Sequence, residues 1–127
     1  MHCWGFNVRG ELGTDDTATT VRSPSRVGAA TDWFDVATGS DFTCGLRSGG
    51  TLWCWGRGLP GDRAASTSQP LRTTPVQVVV PRPLAALGTP IGDGQRNLCA
   101  LDQDGGIWCF GDNWNGELGT NDDVPSA

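Results

Sequence analysis

The sequence predicts an all-β array of short antiparallel strands, and three observations carry that prediction. First, the chain repeats itself. Thr51-Leu52-Trp53-Cys54-Trp55-Gly56 returns as Gly106-Ile107-Trp108-Cys109-Phe110-Gly111, and Cys3-Trp4-Gly5 is the tail of the same segment one unit earlier. The cysteine steps of 51 residues (3 to 54) and 55 residues (54 to 109) are the period of a repeat architecture. Second, 19 Gly and 8 Pro in 127 residues suit short strands joined by many turns. Third, no window sustains the three-and-four apolar spacing of a helix.

The elements follow in order. Residues 3–5 are a strand tail. Residues 5–14, with Gly5, Asn7, Gly10 and Gly13, have the backbone freedom of a tight loop that Leu12 anchors to a core. Residues 15–22 are polar and read as exposed. A strand is expected to start at Pro24, because proline is tolerated at a strand's first position. Further strands are expected at 33–39, 42–47 and 51–56, four in the unit. The second unit gives strands at 75–80, 84–87, 97–102 and 106–111, with a long polar stretch at 63–74. Residues 111–120 restate the first loop. The expected units are 3–54, 54–109 and a partial 109–127, within a single repeat region spanning 1–127.

Two hairpins can be registered residue by residue. With Cys44 opposite Cys54, Gly45 faces Trp53, Leu46 faces Leu52, and Ser48-Gly49-Gly50 is the loop. With Cys99 opposite Cys109, Ala100 faces Trp108, Leu101 faces Ile107, and Gln103-Asp104-Gly105 is the loop. Both loops have three residues with Gly last, which suits a type I turn followed by a left-handed residue. A small residue opposes the indole in each. Opposed residues at a non-hydrogen-bonded site lie about 4.5 Å apart at Cα, within disulfide range. The expected disulfides are Cys44–Cys54 and Cys99–Cys109, with Cys3 unpaired. Buried free thiols are the alternative. Zinc fits poorly, since no C-x-x-C occurs and the sole histidine is His2.

These residues resemble a known family. Cys-Trp-Gly-x-Asn-x-x-Gly-Glu-Leu-Gly-Thr at 3–14 is similar to the regulator of chromosome condensation repeat. So are Pro-x-x-Val at 24–27, Val-Ala-x-Gly at 36–39, Thr-Cys-Gly-Leu at 43–46 and Leu-Trp-Cys-Trp-Gly at 52–56. The resemblance implies a β-propeller with four antiparallel strands per blade, typically seven blades, of which this chain supplies about two and a half. Its cysteines resemble the bacterial extracellular branch, which implies an extracellular or cell-surface setting. The second unit departs from the pattern: Arg57 is read at the place of the loop asparagine, and Glu-Leu-Gly is missing. The Gly-Trp-Arg-His-Thr context of plant ultraviolet receptors is absent, so Trp53, Trp55 and Trp108 are expected in the core.

Function is bounded more loosely. Net charge is −5, with nine Arg scattered along the chain, which argues against a nucleic-acid surface. No apolar run reaches membrane-spanning length. A Ser-His-Asp set would depend on His2, and no phosphate-binding glycine motif precedes a helix. Residues 112–117 are read as a turn rather than a calcium loop, and Asp15-Asp16 and Asp122-Asp123 as solvated charges. No catalytic residue, metal or cofactor is expected. The expected function is a non-catalytic scaffold that presents loops to a protein partner. The alternatives are a secreted inhibitor or effector, or a carbohydrate-binding propeller. Both ends stop inside the pattern, so the chain is expected to be part of a larger propeller or to assemble with copies of itself.

Overall fold

The structure is a computed structural model that describes residues 1–59, 70–88, 96–113 and 115–120. Strands β1 (His2–Phe6), β2 (Thr20–Arg26), β3 (Trp33–Thr38), β4 (Phe42–Arg47), β5 (Thr51–Gly56), β6 (Arg72–Val78), β7 (Leu84–Leu87), β8 (Asn97–Asp102) and β9 (Ile107–Gly111) are its regular elements, and no helix occurs among the described residues. They form three sheets, ordered β1-β2, β3-β4-β5-β6 and β7-β8-β9. All pairings are antiparallel. Antiparallel strands can follow one another through tight turns, so the strands within each sheet are consecutive in sequence.

The hairpin register is the one read from sequence. Cys44 opposes Cys54, Gly45 opposes Trp53 and Leu46 opposes Leu52. Cys99 opposes Cys109, Ala100 opposes Trp108 and Leu101 opposes Ile107. The Cys44 and Cys54 sulfurs stand at bonding distance with Cα atoms 4.1 Å apart, and the Cys99 and Cys109 sulfurs do likewise with Cα atoms 4.0 Å apart.

The sheets are cut elsewhere than the sequence units. The four-stranded sheet holds β3 to β6, so the Pro75 strand closes the sheet that the Trp33 strand opens. The Pro24 strand pairs back to β1 in the same way. Each proline strand follows the loop after a cysteine strand and folds back on it.

Those strands also begin earlier than expected, at Thr20 and Arg72, which places Pro24 and Pro75 inside them. Both prolines lie where pairing is interrupted. Cys3 opposes Ser25 and Gly5 opposes Val21, with a bulge between; Cys54 opposes Val76 and Gly56 opposes Arg72, again with a bulge between. A residue without an N–H is tolerated on an outer strand at a bulge, where no ladder bond is lost. The same register places Gly58, not Arg57, at the position of Asn7. Arg57 stands where Phe6 stands.

Gly56 and Gly111 show why glycine ends the cysteine strand. Their φ values are +104° and +114°, and a Cβ at either would collide with the backbone of Asp41–Phe42 or Arg96–Asn97. Only glycine meets both demands.

The core lies between the four-stranded sheet and the β7-β8-β9 sheet. Phe42, Cys44, Leu46, Leu52, Cys54, Leu84, Leu98 and Phe110 are buried there, joined by Leu59. Backbone bonds stitch the two sheets together: Leu84 N–H donates to the Gly50 carbonyl (2.9 Å). Asp35 Oδ2 accepts from the Leu87 N–H (2.7 Å).

Candidate interaction surface

The first loop is held by one asparagine. Asn7 is buried, its Oδ1 accepts from Leu12 N–H (3.1 Å), and its Nδ2 donates to the carbonyls of Asp16 (2.8 Å) and Ala18 (3.2 Å). The loop at 113–120 repeats the geometry. Asn113 Oδ1 accepts from Leu118 N–H (2.8 Å), and Glu117 Oε2 accepts from Asn115 N–H (2.9 Å) as Glu11 Oε2 accepts from Arg9 N–H (2.7 Å). Asn115 donors hold the Glu117 carboxyl below its usual range, while burial pushes Asp112 up. Residues 112–113 and 115–117 thus belong to an asparagine-held loop; Trp114 lies outside the described residues. No group of three or more His, Cys, Asp or Glu among the described residues is placed to hold a metal.

The loop also fixes the neighbouring sheet. The Glu11 carbonyl accepts from Trp55 Nε1–H (2.8 Å) and from Thr43 Oγ1–H (2.8 Å). Trp55 is fully buried. Of the two others expected in the core, Trp108 is partly buried and packs against the core cluster, whereas Trp53 is partly buried away from it. Their faces differ by strand alternation: Cys54 points into the core, and Trp53 and Trp55 point to the other side.

On that other side of the four-stranded sheet Trp33, Arg47 and Trp53 form a corner. The Arg47 guanidinium carbon lies 5.7 Å from the Trp33 ring centroid and 5.0 Å from that of Trp53. Arg47 Nε–H donates to Asp32 Oδ1 at 2.8 Å. This bond holds the Asp32 carboxyl below its usual range. Trp53 Nε1–H donates to Thr51 Oγ1 (3.1 Å). Trp33 packs edge-on against Trp55 at 5.8 Å. A groove of about 520 Å³ runs beside the corner, lined also by Ala29, Ala30 and Pro75. Sequence reasoning missed this site, although the hairpin register places Gly45, Arg47 and Trp53 on one face.

A second cleft of about 370 Å³ lies where β1 meets the 38–43 turn, lined by Cys3, Trp4, Phe6, Leu12 and Phe42. Trp4 and Phe6 are exposed there, and Leu101 and Ile107 are exposed on the last sheet. Cys3 has no disulfide partner among the described residues, and burial pushes its thiol pKa up.

Consecutive antiparallel sheets, each containing one cysteine strand (β1, β5 or β9), define an array of β-propeller blades. Comparison with known proteins places it further: the chain carries regulator of chromosome condensation repeats. Residues 1–46 and 35–59 each match the Regulator of chromosome condensation (RCC1) repeat. Yeast RCC1 (Prp20), solved bound to Kap60, superposes with a TM-score of 0.76 at 19% identity, over 98% of this chain and 31% of that one. Human WBSCR16 superposes with a TM-score of 0.68 at 19% identity, over 98% of this chain and 32% of that one. The chain therefore spans two to three blades of such a propeller. In sequence it is 34% identical over 122 residues to the human probable E3 ubiquitin-protein ligase HERC6, and 27% identical over 124 residues to human E3 ubiquitin-protein ligase HERC2. These matches cover 91% and 94% of this chain but 12% and 2% of the ligases.

Proposed function

We propose that this chain is a non-catalytic protein-interaction scaffold that presents its loops to a protein partner. The observation that carries this reading is the asparagine-held loop, which recurs after two cysteine strands: Asn7 Oδ1 accepts from Leu12 N–H and Asn113 Oδ1 from Leu118 N–H. Loops positioned by a rigid scaffold are where recognition residues concentrate. Yeast Prp20p, a solved structural neighbour, is described by its binding to Gsp1p and histones. The net charge of −5 supports a protein rather than a nucleic-acid partner. The ligase chemistry of the HERC proteins is not carried over, since this chain matches only a small share of their length.

Within the same reading, Cys44–Cys54 and Cys99–Cys109 are disulfides, Cys3 is unpaired, and the protein works in an extracellular or cell-surface setting. Apposed sulfurs in both hairpins support the cross-links, and persistent disulfides require an oxidising compartment. The exposed Trp4, Phe6 and Ile107 support neighbouring blades or copies that cover the outer sheets.

Affinity capture with the protein and a variant changed at two exposed loop residues, Val8→Ala and Arg9→Ala, followed by mass spectrometry, tests the scaffold. A defined protein partner bound by the first and lost from the second is expected. Turnover of a small-molecule substrate that disappears on changing one internal Asp or Glu would overturn it.

A further inference from the structure

We propose that Asn115 is a site of spontaneous deamidation through the Gly116 nitrogen, and that the Glu117 carboxylate holds the reaction back. This goes beyond the scaffold reading and does not rest on it.

The chemistry is local and needs only water. The Gly116 N–H loses its proton to hydroxide, and the nitrogen attacks Cγ of the Asn115 side chain. A bond from nitrogen to Cγ forms and closes a cyclic imide, while the Cγ–Nδ2 bond breaks and ammonia leaves. Water then opens the imide at either carbonyl, giving aspartate or its β-linked isomer. Nothing is oxidised or reduced. A side chain on the attacking residue crowds this approach, and glycine has none. Asn115-Gly116 is the single Asn-Gly step in the sequence, and Asn115 is exposed. The loop asparagines Asn7 and Asn113 are buried and precede Val8 and Trp114.

The exposure of this position belongs to the loop and not to its place in the chain. The first loop has the four-stranded sheet bonded behind it, through Trp55 and Thr43 to the Glu11 carbonyl. There Arg9 holds the position of Asn115, and it too is exposed. Gly10 follows Arg9 with φ +74°, as Gly116 follows Asn115 with φ +76°. The two loops share a backbone, and only the one at 113–120 carries the reactive pair.

Glu117 opposes the reaction in two ways. Its Oε1 accepts from Asn115 Nδ2–H (2.9 Å) and its Oε2 from Asn115 N–H (2.9 Å), so the leaving amide is tied back. Those donors hold the Glu117 carboxyl below its usual range. It is therefore charged at neutral pH, and its charge disfavours the anion that must form on the Gly116 nitrogen. Gly116 N–H also donates to the Asn113 carbonyl (3.3 Å), a weaker restraint. Conversion would put a second carboxylate where the Asn115 donor stands, and like charges would open the clasp. The β-linked isomer would also lengthen the loop backbone by a methylene and shift the turn that Gly116 now holds.

The test is timed peptide mapping of the full chain by mass spectrometry, at neutral and at mildly alkaline pH. A synthetic peptide of residues 111–120 serves as the unrestrained reference. Asn115 is expected to convert in the chain, faster at the higher pH and more slowly than in the peptide, while Asn7 and Asn113 keep their amides. Appearance of the β-linked isomer marks the imide route, since direct hydrolysis gives aspartate alone. Glu117→Ala removes both acceptor and charge and is expected to speed conversion about three- to tenfold, the effect of one exposed charge-assisted hydrogen bond. Glu117→Gln keeps an acceptor without the charge and is expected to fall between. Circular dichroism checks that each variant is folded. If Glu117→Ala is not, Glu117→Gln decides, by converting faster than the parent or, in refutation, no faster. An amide that persists in the chain and in the folded variants while the peptide converts would overturn the proposal. So would aspartate without its β-linked isomer, or equal rates for the parent and a folded Glu117→Ala.

Discussion

The hairpins at 42–56 and 97–111 share one register and one cysteine placement, yet their corners carry opposite charge and opposite accounts of it. In the second hairpin Asp102 turns inward and is 4% exposed, with three donors converging on it. In the first, Arg47 lies over two indoles and donates to Asp32. The strands opposite them follow suit. Trp33 faces Arg47, whereas the fully buried Leu84 faces Asp102. A repeat fixes the ladder and the turn, and single substitutions on that ladder decide which charge a corner carries and what it bonds.

The largest expected effect separates Trp55 from its counterpart Phe110. Trp55 is fully buried and donates to the Glu11 carbonyl. Trp55→Ala is expected to lower unfolding stability by about 3–5 kcal/mol, measured by urea denaturation. Trp55→Phe imports the residue of the second hairpin and removes the indole donor together with the ring atoms that phenyl lacks. Its expected cost is about 1–3 kcal/mol, below that of alanine because phenyl keeps most of the packing and Thr43 still donates to the same carbonyl. Equal losses for the two variants would show that the hydrogen bond, not the packing, fastens the loop.

Next come the cysteines. Each pair closes a short loop, with a sequence separation of 10, so each cross-link is expected to stabilise by roughly 2–3 kcal/mol in the chain-entropy view. Peptide mapping without reductant should recover Cys44 with Cys54 and Cys99 with Cys109. Recovery of Cys44 linked to Cys99 would refute the pairing. Changing either pair to serine should lower the denaturation midpoint by a similar amount. A markedly smaller loss for one pair would reveal strain in that hairpin.

A subtler contrast lies in the residue opposite each indole, Gly45 or Ala100. A Cβ at Gly45 would sit 2.8 Å from the Trp33 ring. Gly45→Ala is therefore expected to cost about 1–3 kcal/mol by overpacking, although the second hairpin carries alanine without difficulty. Restoring stability with the double change Gly45→Ala and Trp33→Leu would show that the two positions are coupled.

The sequence made the hairpins legible because the cysteines, the small residue opposite tryptophan and the final glycine of each loop all demand one register. It did not reveal where one sheet ends and the next begins. Pro24 and Pro75 suggested strand starts, whereas they sit at bulges inside outer strands that fold back on the preceding cysteine strand. That choice of partner is tertiary and leaves no local mark. The arginine corner was hidden for a related reason. Residue type alone points Trp53 to the core, while alternation from the core-facing Cys54 sends it to the opposite face.

The smallest expected effect concerns acid. The Trp108 indole, then the Gly106 N–H, hold the Asp102 carboxyl below its usual range. A carboxyl depressed in the folded state stabilises the fold above its unfolded pKa of about 3.9. That contribution disappears as pH falls through the lower, folded value. Asp102→Asn should therefore be less stable than the parent at neutral pH and lose less on acidification below about pH 4. The amide keeps one oxygen for the Asp104 and Gly106 donors and places nitrogen where Trp108 Nε1–H now donates. The turn should survive while the indole loses its acceptor. Asp32 and Glu117 are also held low, so part of the acid dependence remains in the variant. Asp32→Asn isolates the other corner and should flatten the same window through the Arg47 bond. Thermal melts of the three proteins from neutral pH down through pH 3 make the comparison. Parallel curves for parent and Asp102→Asn would show that the inward carboxylate contributes nothing to the second hairpin.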